Sequence, residues 1–206
     1  MLHYKTIEPE TLGILKKIQQ IEELSNLRLV GGTALALQIG HRKSIDIDLF
    51  GTIKADNIAV SQELKKIGKL TIIQNSKNIN IYLINNIKVD IVNYPYPWLE
   101  NVKFEDDILL ANINDIAAMK ISAITGRGTK KDFIDLYFLL KRYTLKEILD
   151  FYVQKYDDAS IFMALRSLSY FIDADEDEQP EMIISVDWSE VKRTIEYALE
   201  SYIKNK

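Results

Sequence analysis

The chain has no cysteine. Disulfides, thiolate metal sites and cysteine nucleophiles are therefore excluded, and the composition fits a reducing compartment. It has no surplus of positive charge either: 26 Lys and Arg stand against 30 Asp and Glu, for a formal net charge of −4. No global field draws it to nucleic acid or to an acidic membrane, so a nucleic-acid substrate has to be met by a local basic face. No apolar run approaches the length of a membrane span. The N-terminus, MLHYKTIEPE, has no apolar core behind a basic region and predicts no signal peptide. A cytoplasmic protein without membrane contact is the expectation. There is no internal repeat, and the acidic run at 173–181 (DADEDEQPE) is the one biased segment, read as a solvated loop. What remains is ordinary for a globular chain: 206 residues, 47% hydrophobic and 27% charged, enough for one large domain or two small ones.

The two halves differ in texture. Strand-like segments fall near 27–30, 45–50, 69–74, 79–84 and 87–92, and helical patterns near 9–25 and 55–68. Asn85-Asn86 reads as a two-residue hairpin turn, because Asn tolerates positive φ. Two prolines break residues 93–98 (NYPYPW), which sets a boundary at 98. Tyr94, Tyr96 and Trp98 there either stack on a base or pack the hinge, with packing favoured. Residues 99–206 read as almost wholly helical. Thr129-Lys-Lys-Asp132 and Thr144-Leu-Lys-Glu147 carry capping-box spacing.

The chemistry concentrates in Gly31-Gly32-Thr33 and Asp46-Ile47-Asp48. Glycines between a strand and a helix let a phosphate approach the first-turn amides, where the helix dipole favours an anion. Thr33 adds a hydroxyl donor. In a strand, Asp46 and Asp48 project to one face, with Ile45, Ile47 and Leu49 on the other. Paired carboxylates repel, and a divalent cation such as Mg²⁺ removes that repulsion. Singly, each piece is more often a tight turn or a solvated edge; together and in this order they favour a site. Asp90 lies in the otherwise apolar strand Ile87–Val92, where a lone carboxylate is costly without a partner or metal. If this strand pairs beside the first, Asp90 completes three carboxylates. Such a set can hold two Mg²⁺ ions for phosphoryl or nucleotidyl transfer, with Asp90 as general base or as the ligand nearest the nucleophile. The other reading is an Asp that caps a loop.

In the second half, Lys120 sits among apolar neighbours and shares a helix face with Arg127. On spacing alone it reads as a snorkelling side chain. Arg127, Lys130 and Lys131 form a local basic cluster suited to a triphosphate or a nucleic-acid backbone. Asp132 reads as a capping-box acid, and Asp135 as its one-turn neighbour.

These blocks, GGTALALQIGHRKSIDIDLF and KISAITGRGTKKDFIDLYFL, resemble the two motif blocks of the AbiEii-type nucleotidyltransferase toxins, a MenT-like branch of the polymerase-β-like enzymes. The resemblance implies an α+β fold: a nucleotidyltransferase core with a small mixed sheet over residues 1–98, then a helical domain over 99–206 closing an active-site cleft. It places Gly32 and Thr33 at the family's Gly-Ser/Thr step and Asp46 and Asp48 at its metal-binding pair. Arg42 and Ser44 fall at its phosphate contacts. Lys120 becomes the phosphate-contacting lysine, which reverses the snorkelling reading, and Asp132 or Asp135 the late essential acid. Thr33 replaces the commoner serine and keeps the hydroxyl. The implied partners are an NTP, an RNA acceptor of the tRNA class and a cognate antitoxin. Two alternatives stand beside it: a metal-dependent glycosyltransferase using a nucleotide-sugar, and a non-catalytic module that binds nucleotide or a partner.

Overall fold

The computed structural model describes residues 1–205. The chain forms two units. The first comprises residues 1–96 and 101–112, and the second residues 97–100 and Ile113 onward. The α+β class expected from the sequence is what is found.

The first unit begins with α1 (Pro9–Gln19), β1 (Arg28–Leu29), α2 (Gly31–Ile39), β2 (Ile47–Gly51) and α3 (Asn57–Lys65). It continues through β3 (Leu70–Asn75), β4 (Ile79–Ile84), β5 (Ile87–Asn93), β6 (Lys103–Glu105) and β7 (Ile108–Leu110). The strands make one mixed sheet of seven, in the order β3-β4-β5-β2-β1-β7-β6. It is larger than the small sheet expected, because β6 and β7 come from beyond the proline-rich segment. The boundary at residue 98 is corrected accordingly: residues 101–112 return to the sheet. Asn85 and Asn86 both take positive φ, 51° and 68°, and close the β4–β5 hairpin as expected. Asp106 and Asp107, at 54° and 63°, do the same for β6–β7, which the sequence reading had placed in a helical region.

Alternation sets the faces. In β2 and β5 the side chains of Ile47, Leu49, Val89 and Ile91 are fully buried, while Asp48 and Asp90 point to the other face. Ile45, expected among the buried set, is 63% exposed because the strand starts only at Ile47. Tyr94 packs on Phe50 and Tyr96, with ring centroids 5.3 and 5.2 Å away.

The second unit holds α4 (Ile113–Arg127), α5 (Lys130–Leu140), α6 (Leu145–Lys155), α7 (Ile161–Leu168), α8 (Ile172–Asp175) and α9 (Trp188–Lys204). Helix α4 packs on α5, α6 and α7, and α9 packs on the same three. Capping boxes start α5 and α6 as the spacing predicts. The acidic run is not merely solvated. Asp175 accepts from Trp188 Nε1 at 2.6 Å and from Lys192 at 2.8 Å, and Asp177 takes the Lys130 amide at 2.9 Å. Among the described residues no helix is long and apolar enough to cross a membrane.

Residues 97–100 are bound into this unit by a buried ion pair. Lys155 and Asp115, both fully buried, meet at 2.6 Å. Lys155 also donates to the Pro97 carbonyl at 2.8 Å and lies 4.5 Å from the Trp98 ring centroid. Asp115 accepts the amides of Leu99 and Glu100 at 2.9 and 3.2 Å. Trp98 therefore packs as well. Removing one partner strands the other charge in low dielectric, so Lys155→Met should cost about 3–5 kcal/mol. Denaturant unfolding followed by circular dichroism checks this, and Lys155→Met combined with Asp115→Leu should recover much of the loss.

Candidate active site

Parallel pairing of β2 with β5 sets Asp48 directly opposite Asp90. Register partners in a sheet share a face, so the two carboxylates stand side by side. Asp46 lies just before β2, where the register continued back by one residue sets it opposite Lys88. Lys88 Nζ is 2.6 Å from Asp90 Oδ2. Burial disfavours the charged ammonium, but the hydrogen bond to Asp90 and the charges of Asp90, Asp48 and Asp46 outweigh it and raise the Lys88 pKa. The ammonium thus feels all three acids. Lys88 was missed in the sequence, although its i−2 spacing from Asp90 in a strand signals a shared face.

Gly31 has φ +67°, a conformation that side chains with a Cβ rarely adopt, and a Cβ there would overlap Asp48 Oδ2. The glycine therefore makes room for the carboxylate as well as for the turn into α2. Gly32 does the same for Arg42, whose guanidinium lies against it and whose Nη1 donates to the Lys43 carbonyl at 2.9 Å. A guanidinium at the N-terminus of α2 adds to the positive end of the helix dipole, and both favour an anion. Ser44 Oγ stands 2.9 Å from Thr33 Oγ1. Thr33 itself is buried and donates to the Asp46 carbonyl. The Thr33 hydroxyl thus links Ser44 to the segment carrying Asp46. Gly31, Gly32, Thr33, Arg42, Ser44, Asp46, Asp48 and Asp90 are thus grouped within the first unit.

These residues fit a divalent cation in part. Asp90 Oδ1 is buried with no hydrogen-bond partner, an acceptor that calls for a proton or a cation. The glycine-lined space beside Asp48 is the second favourable feature. Among the described residues, however, no set of three or more His, Asp or Glu side chains is already gathered as a metal cage.

A second set lies in the helical unit. Lys120, 6% exposed, is 2.8 Å from Asp132 Oδ1 and 2.6 Å from Asp135 Oδ2. It does not snorkel. Asp132 Oδ2 also accepts from the Thr129 amide and hydroxyl at 3.2 and 2.6 Å, so one carboxylate caps α5 and pairs with the lysine. Arg127 and Lys131, expected with Lys120 as phosphate contacts, are exposed, whereas Lys120 is buried. Arg127 lines a separate pocket of about 390 Å³ with Arg166, Tyr170 and Asp173. Lys130 is buried, bonded to the carbonyls of Asp175 and Asp177, and is not part of a basic face.

Burial pushes the Asp132 carboxyl up, but Lys120 and the Lys120 and Thr129 hydrogen bonds hold it below its ordinary value of 3.8. A depressed carboxylate stabilises the fold above its unfolded pKa, and that contribution is lost as pH falls through the folded pKa. Below about pH 4, wild-type stability should therefore fall more steeply than that of Asp132→Asn. Denaturation midpoints by circular dichroism across pH 2.5–6 measure the difference, since other carboxylates contribute alike to both proteins.

The family description "Nucleotidyl transferase AbiEii toxin, Type IV TA system" matches residues 13–205. An uncharacterized protein of Aquifex aeolicus is 33% identical over 207 aligned positions, covering 98% of this chain and all of that one. A Helicobacter pylori structure superposes with a TM-score of 0.66 at 19% identity, covering 95% of this chain and 92% of its own. JHP933 from the same organism gives 0.62 at 19%, covering 98% and 91%. MenT4, a nucleotidyltransferase toxin of Mycobacterium tuberculosis, gives 0.50 at 10%, covering 92% and 81%. At such identities the structures speak for the fold, and the matched motif blocks and the family description for the rest: the chain belongs to the AbiEii family of nucleotidyltransferase toxins.

Proposed function

We propose that this protein transfers a nucleoside monophosphate from an NTP to a hydroxyl of an RNA, tRNA being the class to test first, and that a cognate antitoxin restrains it. The observation that carries the reaction is the Asp48–Asp90 pair set beside the Gly31 turn. Asp46, Asp48 and Asp90 are the residues that would hold Mg²⁺. A divalent ion there supplies charge that stabilises the transferring phosphoryl group and lowers the pKa of the attacking hydroxyl.

The steps assigned to the chain's own residues follow from their positions. The α2 amides and Arg42 attract the triphosphate, and Ser44 lies at the same helix end. Asp90 Oδ1, having no other hydrogen-bond partner, accepts the proton of the acceptor hydroxyl. The acceptor oxygen bonds to the α-phosphorus as the bond to pyrophosphate breaks. In the helical unit, Asp132 and Asp135 hold the ammonium of Lys120, the residue that the family resemblance gives as its phosphate-contacting lysine.

Incubation with α-labelled NTPs, Mg²⁺ and total RNA should label small RNA. Asp46→Ala with Asp48→Ala should lower that labelling by roughly a hundredfold or more, the loss of about 2.7 kcal/mol of transition-state stabilisation. Labelling that persists in the double variant sinks the site assignment. Growth arrest on expression, relieved by co-expressing the product of the neighbouring gene, is the expected sign of an antitoxin.

A further inference from the structure

We infer that Lys88 is a tethered counter-cation of the three-carboxylate face, holding Asp90 while no divalent ion is bound and competing with that ion for Asp90 Oδ2. This rests on the proposed metal-binding role of Asp46, Asp48 and Asp90.

The geometry gives Lys88 this place. It is two residues before Asp90 on β5, so both project to one face, and parallel register sets Asp48 opposite Asp90. The ammonium sits 2.6 Å from one Asp90 oxygen, while the other oxygen is buried without a hydrogen-bond partner. Asp90 is therefore half satisfied: one oxygen is neutralised from within the chain and one is left for something else.

Two properties let Lys88 act as a reversible occupant rather than a fixed partner. Its side chain is 43% exposed, unlike the fully buried Lys155, so its ammonium can move into water without being stranded in low dielectric. Its tether is a flexible four-carbon stem carrying a single charge. A divalent cation brings twice that charge and bonds several oxygens at once. Without Lys88, three carboxylates on one face would face one another with less compensation, so the side chain stabilises the metal-free sheet at some expense in metal affinity.

Mn²⁺ binding to the full chain, read by electron paramagnetic resonance of the free ion, tests this. Lys88→Met should tighten Mn²⁺ binding about tenfold and enlarge the Mn²⁺-induced rise in thermal midpoint. Lys88→Arg, which keeps the charge, should bind close to wild type. If Lys88→Met does not fold by circular dichroism, Lys88→Gln takes its place in the same measurement. Unchanged or weaker Mn²⁺ affinity in a folded, uncharged variant overturns the inference while leaving the metal site standing. If neither wild type nor variant binds Mn²⁺, the metal-binding role of the carboxylates fails, and the inference falls with it.

Discussion

Like charges brought side by side by a parallel register are the constraint around which the sheet unit is arranged. Ile47, Leu49, Val89 and Ile91 are fully buried, and a slip of one residue would turn them all to the opposite face. The hydrophobic core thus locks the register, and the register sets Asp48 against Asp90. Separating the carboxylates would require giving up the core, so their repulsion has to be met locally. Lys88 meets part of it, and Gly31 gives the Asp48 carboxylate space that any other residue would fill.

The helical unit meets the same problem from the other side, with ammonium groups carried into the interior. Lys155 pairs with one carboxylate and donates a second bond to the Pro97 carbonyl, while Asp115 accepts the amides of Leu99 and Glu100. That arrangement is neutral and satisfied, as a purely structural buried pair must be to offset desolvation. Lys130 instead satisfies itself on backbone carbonyls. Lys120 differs from both: its ammonium faces two carboxylates, Asp132 at 2.8 Å and Asp135 at 2.6 Å, both on α5.

The parts of this architecture that were legible in the sequence are those with a strong local period or a specific turn chemistry. Asn85-Asn86 announced its hairpin, and the alternation of Ile87–Val92 placed Asp90 on a face before any partner strand was known. Strands β6 and β7 were not legible, because three residues each is too short to show alternation, and Asp106-Asp107 reads first as charge and only second as a turn. The start of β2 was less legible: the strand begins at Ile47, and the Asp46 carbonyl just before it accepts from the Thr33 hydroxyl. Lys131 and Arg127 show the converse limit. Their closeness along the chain suggested a shared basic face, but helix ends and capping turned Lys130 inward and left the other two exposed.

Charge balance explains why the proposed reaction needs an added cation. Asp46, Asp48 and Asp90 contribute three negative charges, against which the neighbouring chain sets Lys88 and Arg42. Arg42 lies at the N-terminus of α2, where it serves the phosphate end, and Lys88 is taken up with Asp90. A triphosphate would bring further negative charge to a face already short of positive charge, and the net charge of −4 offers no relief from a distance. The glycine turn and the helix end can orient a nucleotide, but partial charges of about half an electron cannot balance it. A divalent ion held by Asp46, Asp48 and Asp90 would supply positive charge where it is needed. On the proposed reaction, the carboxylate crowding of the free protein would become, once nucleotide and metal enter together, a source of binding energy for both.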